Sequence, residues 1–243
     1  MKKIILILSM FLLLGCSSNK VSYKKELSLL GKYQHNYESF TQGLFFYDNQ
    51  LYETSGLYGK SKLYKNVNLE NADAEKEYSF DESIFAEGCT IFKDKLYVLT
   101  WKENKILVFN KDTLELEKEL EYKKEGWGLT TDGNFLIASD GSNNLYYLDE
   151  EANIVKTINI DGVYYLNELE YINGSIWANI YMSDRIAVID PAKEEVVKII
   201  SFTGLYEKPQ DVNSVLNGIA YNNEKLYITG KNWPIIYVFK IKE

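Results

Sequence analysis

Ten residues fall at two fixed phases of the sequence, and their types suit proton transfer in a small aromatic-walled cavity. The first phase carries Gln42, Glu87, Trp127, Asn167 and Asn217; the second carries Gly56, Trp101, Asp140, Tyr181 and Lys231. A carboxylate such as Glu87, set among amides and indoles, can take up a proton and give it back if its pKa is drawn toward the working pH. Amides and a lysine supply donors for an oxygen on which charge develops, and indoles supply apolar walls. Apolar surface with a few convergent polar groups is the usual make-up of a small-molecule site. Some of the ten could instead fill the cavity and bond one another, a role that suits Asn217, Asp140 and Gly56 better than the rest.

The phases are defined by five self-similar segments: GLFFYDNQLYETSG from Gly43, GCTIFKDKLYVLTW from Gly88, GLTTDGNFLIASD from Gly128, ELEYINGSIWANIY from Glu168 and GIAYNNEKLYITGK from Gly218. Each reads as a strand, a tight turn and a second strand. The turns fall at Asp48-Asn49, Lys93-Asp94, Asp132-Gly133, Asn173-Gly174 and Asn222-Asn223, residue types that mostly tolerate the positive φ of hairpins. A third strand follows in each repeat, at Ser61–Tyr64, Lys105–Asn110, Asn144–Asp149, Arg185–Asp190 and Ile235–Lys240. The first apolar residues after the turns, Leu51, Leu96, Phe135, Ile176 and Leu226, are spaced roughly 40 to 50 residues apart, a period of solenoids and propellers. Long helical patterns are absent, so the expected fold is all-β, a five-bladed β-propeller. The last repeat stops at a third strand. The partly alternating segment Val21 to Leu30 is expected to complete it and close the ring, which would hide the open sheet edges.

In a propeller the innermost strands line the central channel. The loops entering them open on the same face as the loops leaving the second strands, so the two residue sets must converge there.

The chain opens with Lys2-Lys3, an apolar run from Ile4 to Leu14, and Gly15-Cys16-Ser17-Ser18. That is the layout of a secretory signal over residues 1–15, and the run is too short to span a bilayer. Leu13-Leu14-Gly15-Cys16 matches the bacterial lipobox, so Cys16 is expected to carry lipid and residues 16–20 to form a polar tether. The chain is then exported and held at the membrane only through this anchor, with 21–243 as one domain, expected to be a monomer. If Cys16 carries lipid, Cys89 has no other cysteine to pair with, and the core must hold the fold without a disulfide. A net charge of −8 argues against nucleic acid as a partner. It suits cationic peptides no better than it suits plain solubility.

The motifs FTQGL (40–44), FAEGCT (85–90), LTWK (99–102), GWGLTTDG (126–133), SDGS (139–142), LNELE (166–170), WANIY (177–181), LNGIA (216–220) and TGKNWP (229–234) together resemble the glutamine cyclotransferase family, in order and across all five repeats. The resemblance implies an enzyme that converts N-terminal glutaminyl residues of peptides into 5-oxoprolyl residues and releases ammonia, with no cofactor. It implies that Phe40, Gln42, Phe85, Glu87, Trp101, Trp127, Asn167 and Lys231 line the active site, with Glu87 as catalytic acid/base. Tyr181 stands where relatives commonly carry Trp, which changes the fit of the pocket more than its chemistry.

In such a reaction the uncharged α-amine attacks its own carboxamide and the departing nitrogen must be protonated. One carboxylate can serve both steps. Burial among Phe85, Trp101 and Trp127 would raise the pKa of Glu87, and an ion pair with Lys231 would oppose that. Asn167, Gln42 or Lys231 could face the oxyanion. Trp101 and Trp127 would pack on the glutamine methylenes. Metal catalysis is not expected, because His35 is the only histidine and lies outside the repeats; a structural calcium at Asp140 has no ligand-spaced motif behind it. Two other readings are a non-catalytic binding propeller and a glycosidase pairing Glu87 with Asp140 or Glu168.

Overall fold

A computed structural model describes residues 20–207 and 212–242. The signal segment and Cys16 lie outside the described residues. Five antiparallel sheets follow one another along the chain as the blades of a propeller. Blade one comprises Thr41–Tyr47, Gln50–Ser55, Lys62–Val67 and Ala74–Ser79. Blade two comprises Ala86–Phe92, Lys95–Thr100, Lys105–Asn110 and Leu116–Glu121. Blade three comprises Leu129–Thr131, Leu136–Ser139, Asn144–Leu148 and Ile154–Asn159. Blade four comprises Leu166–Ile172, Ser175–Ile180, Arg185–Asp190 and Glu195–Ser201, and blade five opens with Leu216–Asn222, Lys225–Gly230 and Ile235–Ile241.

The strand before blade one completes blade five, as expected, but its bounds are Leu27–Gln34 rather than 21–30. Lys20–Ser22 forms a separate strand parallel to Glu195–Ser201 of blade four, and a four-residue helix, Tyr23–Glu26, links the two. The N-terminal segment therefore stitches two blades. The ring of Tyr23 stacks on Phe202 at 5.5 Å and meets the edge of Phe239 at 5.8 Å, and Lys198 pairs with Glu26.

Burial falls from axis to rim. Innermost strands are almost wholly buried, for example Ala86–Phe92, whereas the outermost strand of the same blade, Leu116–Glu121, buries only Leu120. Apolar side chains of neighbouring blades interlock between the sheets, as in the cluster of Ile137, Leu145 and Ile158 with Leu169, Ile176 and Ile189.

The hairpin turns take the paired positive φ of two-residue loops at Asp48-Asn49, Lys93-Asp94 and Asn173-Gly174. The fifth turn is Asn223-Glu224, one residue later than the sequence suggests, because Asn222 still pairs with Lys225. In blade three the loop is longer, so Phe135 stays on the surface and Leu136 is the buried residue that matches Leu51 and Leu96. The third strand of blade one runs over Lys62–Val67, displaced from Ser61–Tyr64.

Candidate active site

The ladder between the first and second strands carries a bulge at one recurring place. Register shifts fall between Thr41 and Gly43, Ala86 and Cys89, Leu166 and Leu169, and Leu216 and Ile219. Gln42, Glu87, Asn167 and Asn217 sit inside these bulges. A bulge leaves a residue unpaired and re-aims its side chain, which turns these polar groups toward the channel instead of the sheet faces. The glycines that follow allow the innermost strands to crowd the axis. A Cβ on Gly88 would lie 2.3 Å from the amide nitrogen of Leu129, and one on Gly128 would lie 2.0 Å from the carbonyl oxygen of Asn167.

The resulting pocket has a volume of about 300 Å³. Phe40, Gln42, Phe85, Glu87, Trp101, Trp127, Asn167, Tyr181 and Lys231 all line it, joined by Leu57 and Asn213, which the sequence reading missed. Its walls are rings in contact: Phe40 against Phe85 at 6.4 Å, Phe85 against Trp101 at 5.4 Å, and Trp127 against Tyr181 at 5.4 Å, all edge-on. Gly141, at φ +78°, cradles Trp127, since a Cβ there would meet the indole at 2.6 Å. Trp101 donates its ring N–H to Glu125 at 3.0 Å, which fixes that wall from outside.

At the floor, the Gln42 amide donates to Glu87 Oε1 at 3.1 Å, and Asn217 donates to the Thr41 carbonyl at 2.8 Å and to Gln42 Oε1 at 3.3 Å. Asn217 is thus a brace beneath the pocket and not part of its lining. Asp140 is likewise withdrawn, accepting from the Ser142 hydroxyl at 2.5 Å and the Tyr146 hydroxyl at 2.8 Å. Gly56 leaves room for the Phe85 ring, which a Cβ would approach to 2.4 Å.

Glu87 is 5 % exposed and its pKa is raised well above the ordinary carboxylate value. Burial is the main cause, the charge of Lys231 opposes it, and Glu103 and Glu125 add to it. Burial also pulls Lys231 down to about 8, with Glu87 acting the other way. The ion pair that would be the alternative role of Glu87 is not made: no contact within 4 Å joins Glu87 and Lys231 among the described residues. The Lys231 ammonium instead lies 4.7 Å from the centre of the Phe40 ring and 5.1 Å from that of Tyr181. Cation–π attraction there replaces part of the lost hydration. Trp127 Nε1 and Asn167 Oδ1, buried polar atoms of two lining residues, have no hydrogen-bond partner among the described residues.

Glu168 does not reach the pocket. It lies in the channel, where its carboxylate accepts from the backbone of Leu44 at 3.3 Å and of Ile219 at 2.9 Å, and so ties blade four to blades one and five. The carboxylate pair required by a glycosidase is absent from the pocket. Among the described residues no group of three or more His, Cys, Asp and Glu side chains is placed to hold a metal ion.

These features define a five-bladed propeller with a small, mainly apolar pocket that holds a few convergent polar groups at one end of the axis. A family model described as glutamine cyclotransferase matches residues 6–241, and the chain belongs to that family. A glutaminyl-peptide cyclotransferase of Arabidopsis thaliana is 37 % identical over 241 residues, covering 93 % of this chain and 75 % of that protein. The crystal structure of the Myxococcus xanthus glutaminyl cyclase superposes with a TM-score of 0.78 at 30 % identity, covering 89 % of this chain and 97 % of the other.

Proposed function

We propose that this chain cyclises N-terminal glutaminyl residues of peptides to 5-oxoproline, with Glu87 as the group that moves the proton. The observation that carries this reading is a buried carboxylate of raised pKa, bonded to the Gln42 amide, in a pocket walled by Phe40, Phe85, Trp101 and Trp127 and shared with Asn167 and Lys231. The bond that forms joins the α-nitrogen to the side-chain carbonyl carbon, and the bond that breaks is the one from that carbon to the amide nitrogen. The amine loses one proton and the leaving nitrogen gains one, so a single carboxylate that accepts and then donates balances the reaction. A raised pKa narrows the gap between the two halves of that task.

One N–H of the Gln42 amide goes to Glu87, and Asn167 and Lys231, which line the same pocket, supply the donors that meet the oxygen that becomes negative. The pocket rings pack on the side-chain methylenes and hold the chain folded back, the geometry that makes the attack intramolecular. Export and lipidation at Cys16 are part of the same proposal and rest on the Leu13-Leu14-Gly15-Cys16 sequence. Loss of radiolabelled palmitate from the protein in a Cys16→Ser variant would support them, and retained label would overturn them.

Ammonia release from Gln-Ala-type peptides, with and without a chelator, tests the central reading. Turnover that resists the chelator and falls by about 10²- to 10⁴-fold in Glu87→Gln supports it. Folded protein that releases no ammonia would make the pocket a recognition site.

A further inference from the structure

Beside the pocket lies an open groove, and Tyr181 forms a wall of both. The groove has a volume of about 590 Å³ and runs between the connection 162–165, which enters blade four, and the turn 181–183. Tyr164, Tyr165 and Met182 line it and are 61 %, 60 % and 56 % exposed. A cluster of large apolar side chains left open in this way commonly marks a contact surface.

The backbone beneath the groove is strained. Tyr165 and Met182 take φ of +62° and +57°, a region that bulky residues rarely enter. Met182 occupies a repeat position, the turn after the second strand, whose equivalents are Leu57 at +98°, Gly141 at +78° and Asn232 at +58°. Glycine and asparagine adopt such values at little cost, whereas leucine and methionine do not. The two blades that place a large apolar residue there use it to border a cavity: Leu57 lines the pocket and Met182 lines the groove. Strain retained in this pattern points to function. The strained segment is also tied to the pocket wall. The Tyr165 N–H donates to the carbonyl of Gly141, the residue that cradles Trp127, at 3.1 Å, and the Tyr181 N–H donates to the Tyr165 carbonyl at 2.9 Å.

A glutaminyl residue held with its amine and amide inside the pocket must send the rest of its peptide out past the rim. Successive Cα atoms are about 3.8 Å apart, so the next side chain emerges against the rim residues, of which Tyr181 is one. We propose that the groove binds the side chain of the residue following the N-terminal glutamine and selects an apolar or aromatic one. Arg185 also lines the groove, so a lysine or arginine at that substrate position meets a like charge. This inference rests on the cyclotransferase reading of the pocket.

The test uses the full-length protein and three C-terminally amidated dipeptides, Gln-Phe, Gln-Gly and Gln-Lys. The expected result is a kcat/KM for Gln-Phe about tenfold above that for Gln-Gly, carried by KM, and no advantage for Gln-Lys. Tyr165→Gly and Met182→Gly, alone and together, remove the side chains and relieve the left-handed strain. The melting temperature is therefore expected to hold or rise while the Gln-Phe to Gln-Gly ratio falls toward one. Equal kcat/KM for the three peptides, or a ratio that survives the double variant, would overturn the groove assignment. If folded protein turns over none of them, the cyclotransferase reading fails on its own. Calorimetric binding then decides the groove: tighter Gln-Phe binding that the double variant abolishes supports it, and equal affinities overturn it.

Discussion

Lys231 brings a positive charge into a space walled by rings, and its place there bears on how readily Glu87 ionises. Burial works against both charges, and each is the other's main electrostatic support, although they do not touch. Replacing Lys231 with methionine keeps the packing on Phe40 and Tyr181 but withdraws that support. The Glu87 pKa should then rise further, so the acid limb of the kcat profile, which reports groups in the bound complex, should move to higher pH. Turnover at neutral pH is expected to fall at least about tenfold. A profile that keeps its acid limb in place while turnover falls would mean that Lys231 acts on the oxyanion alone. The site was legible in the sequence because the repeat phase reports depth in the channel, which is how Gln42, Glu87, Trp101, Trp127, Asn167, Tyr181 and Lys231 are found. Phe40 and Phe85 precede the bulges and came through the family motifs. Leu57 was missed because it lies one residue past the second phase; the matching positions Gly141, Met182 and Asn232 were the available signal. Asn213 lies in an irregular connection with no periodic signal.

Between blades one and five a buried ionic latch holds elements that are distant in sequence. His35 donates at two places, to the carbonyl of Trp233 at 2.6 Å through Nδ1 and to the Glu53 carboxylate at 3.1 Å through Nε2. Glu53 also accepts from the Thr41 hydroxyl at 2.8 Å and from the Ser39 hydroxyl. Phe40 and Gln42 flank Thr41, so the latch anchors the segment that carries one wall and the floor of the pocket. Burial alone would lower the His35 pKa, but the charge and hydrogen bonds of Glu53 outweigh it and hold it above 6.5. Burial alone would raise that of Glu53, but His35, Ser39 and Thr41 hold it below the ordinary value. The sign follows from linkage. The histidine's share of stability is full below pH 6.5 and is lost as pH rises through its folded pKa. The glutamate's share is full above its unfolded value and is lost as pH falls through its lowered one. The latch is therefore worth most in mildly acidic solution. His35→Gln, which leaves Glu53 buried without its cation, should cost about 3–5 kcal/mol there and less at pH 9. Urea unfolding of both proteins at the two pH values measures this, and equal differences would show that His35 serves only as packing. Sequence periodicity revealed the inner hairpins but gave no sight of this latch, because His35 lies outside every repeat. Nor did it reveal the outer strands: Ala74–Ser79 and Leu116–Glu121 are mostly exposed and charged, so no alternation marks them.

Over the whole molecule, the ring closes where a strand that precedes blade one meets the third strand of blade five. Leu27–Gln34 pairs along Ile235–Ile241, from Leu27 opposite Ile241 to Gln34 opposite Ile235, with a bulge near Gly31. Without that strand blade five would show a bare, apolar edge, since Ile236, Tyr237, Val238 and Phe239 are all buried. Lys20–Ser22 adds a smaller contribution, three residues along the rim of blade four. The two strands should therefore differ in what their loss does. A chain that begins at Tyr23 keeps the closure and is expected to remain a soluble ring with its pocket intact, losing only the Lys20–Ser22 pairing. A chain that begins at His35 keeps the latch residue but loses the closing strand, and it should expose the Ile235–Ile241 edge, lose hydrogen-exchange protection first in blade five, and associate as concentration rises. Lys231, which follows the second strand of that blade, would then be held less firmly, so turnover should fall together with protection. Exchange measured blade by blade, alongside size-exclusion at two concentrations, distinguishes this from general unfolding. Protection lost evenly across all five blades would mean that the ring has no local closure and unfolds as one unit.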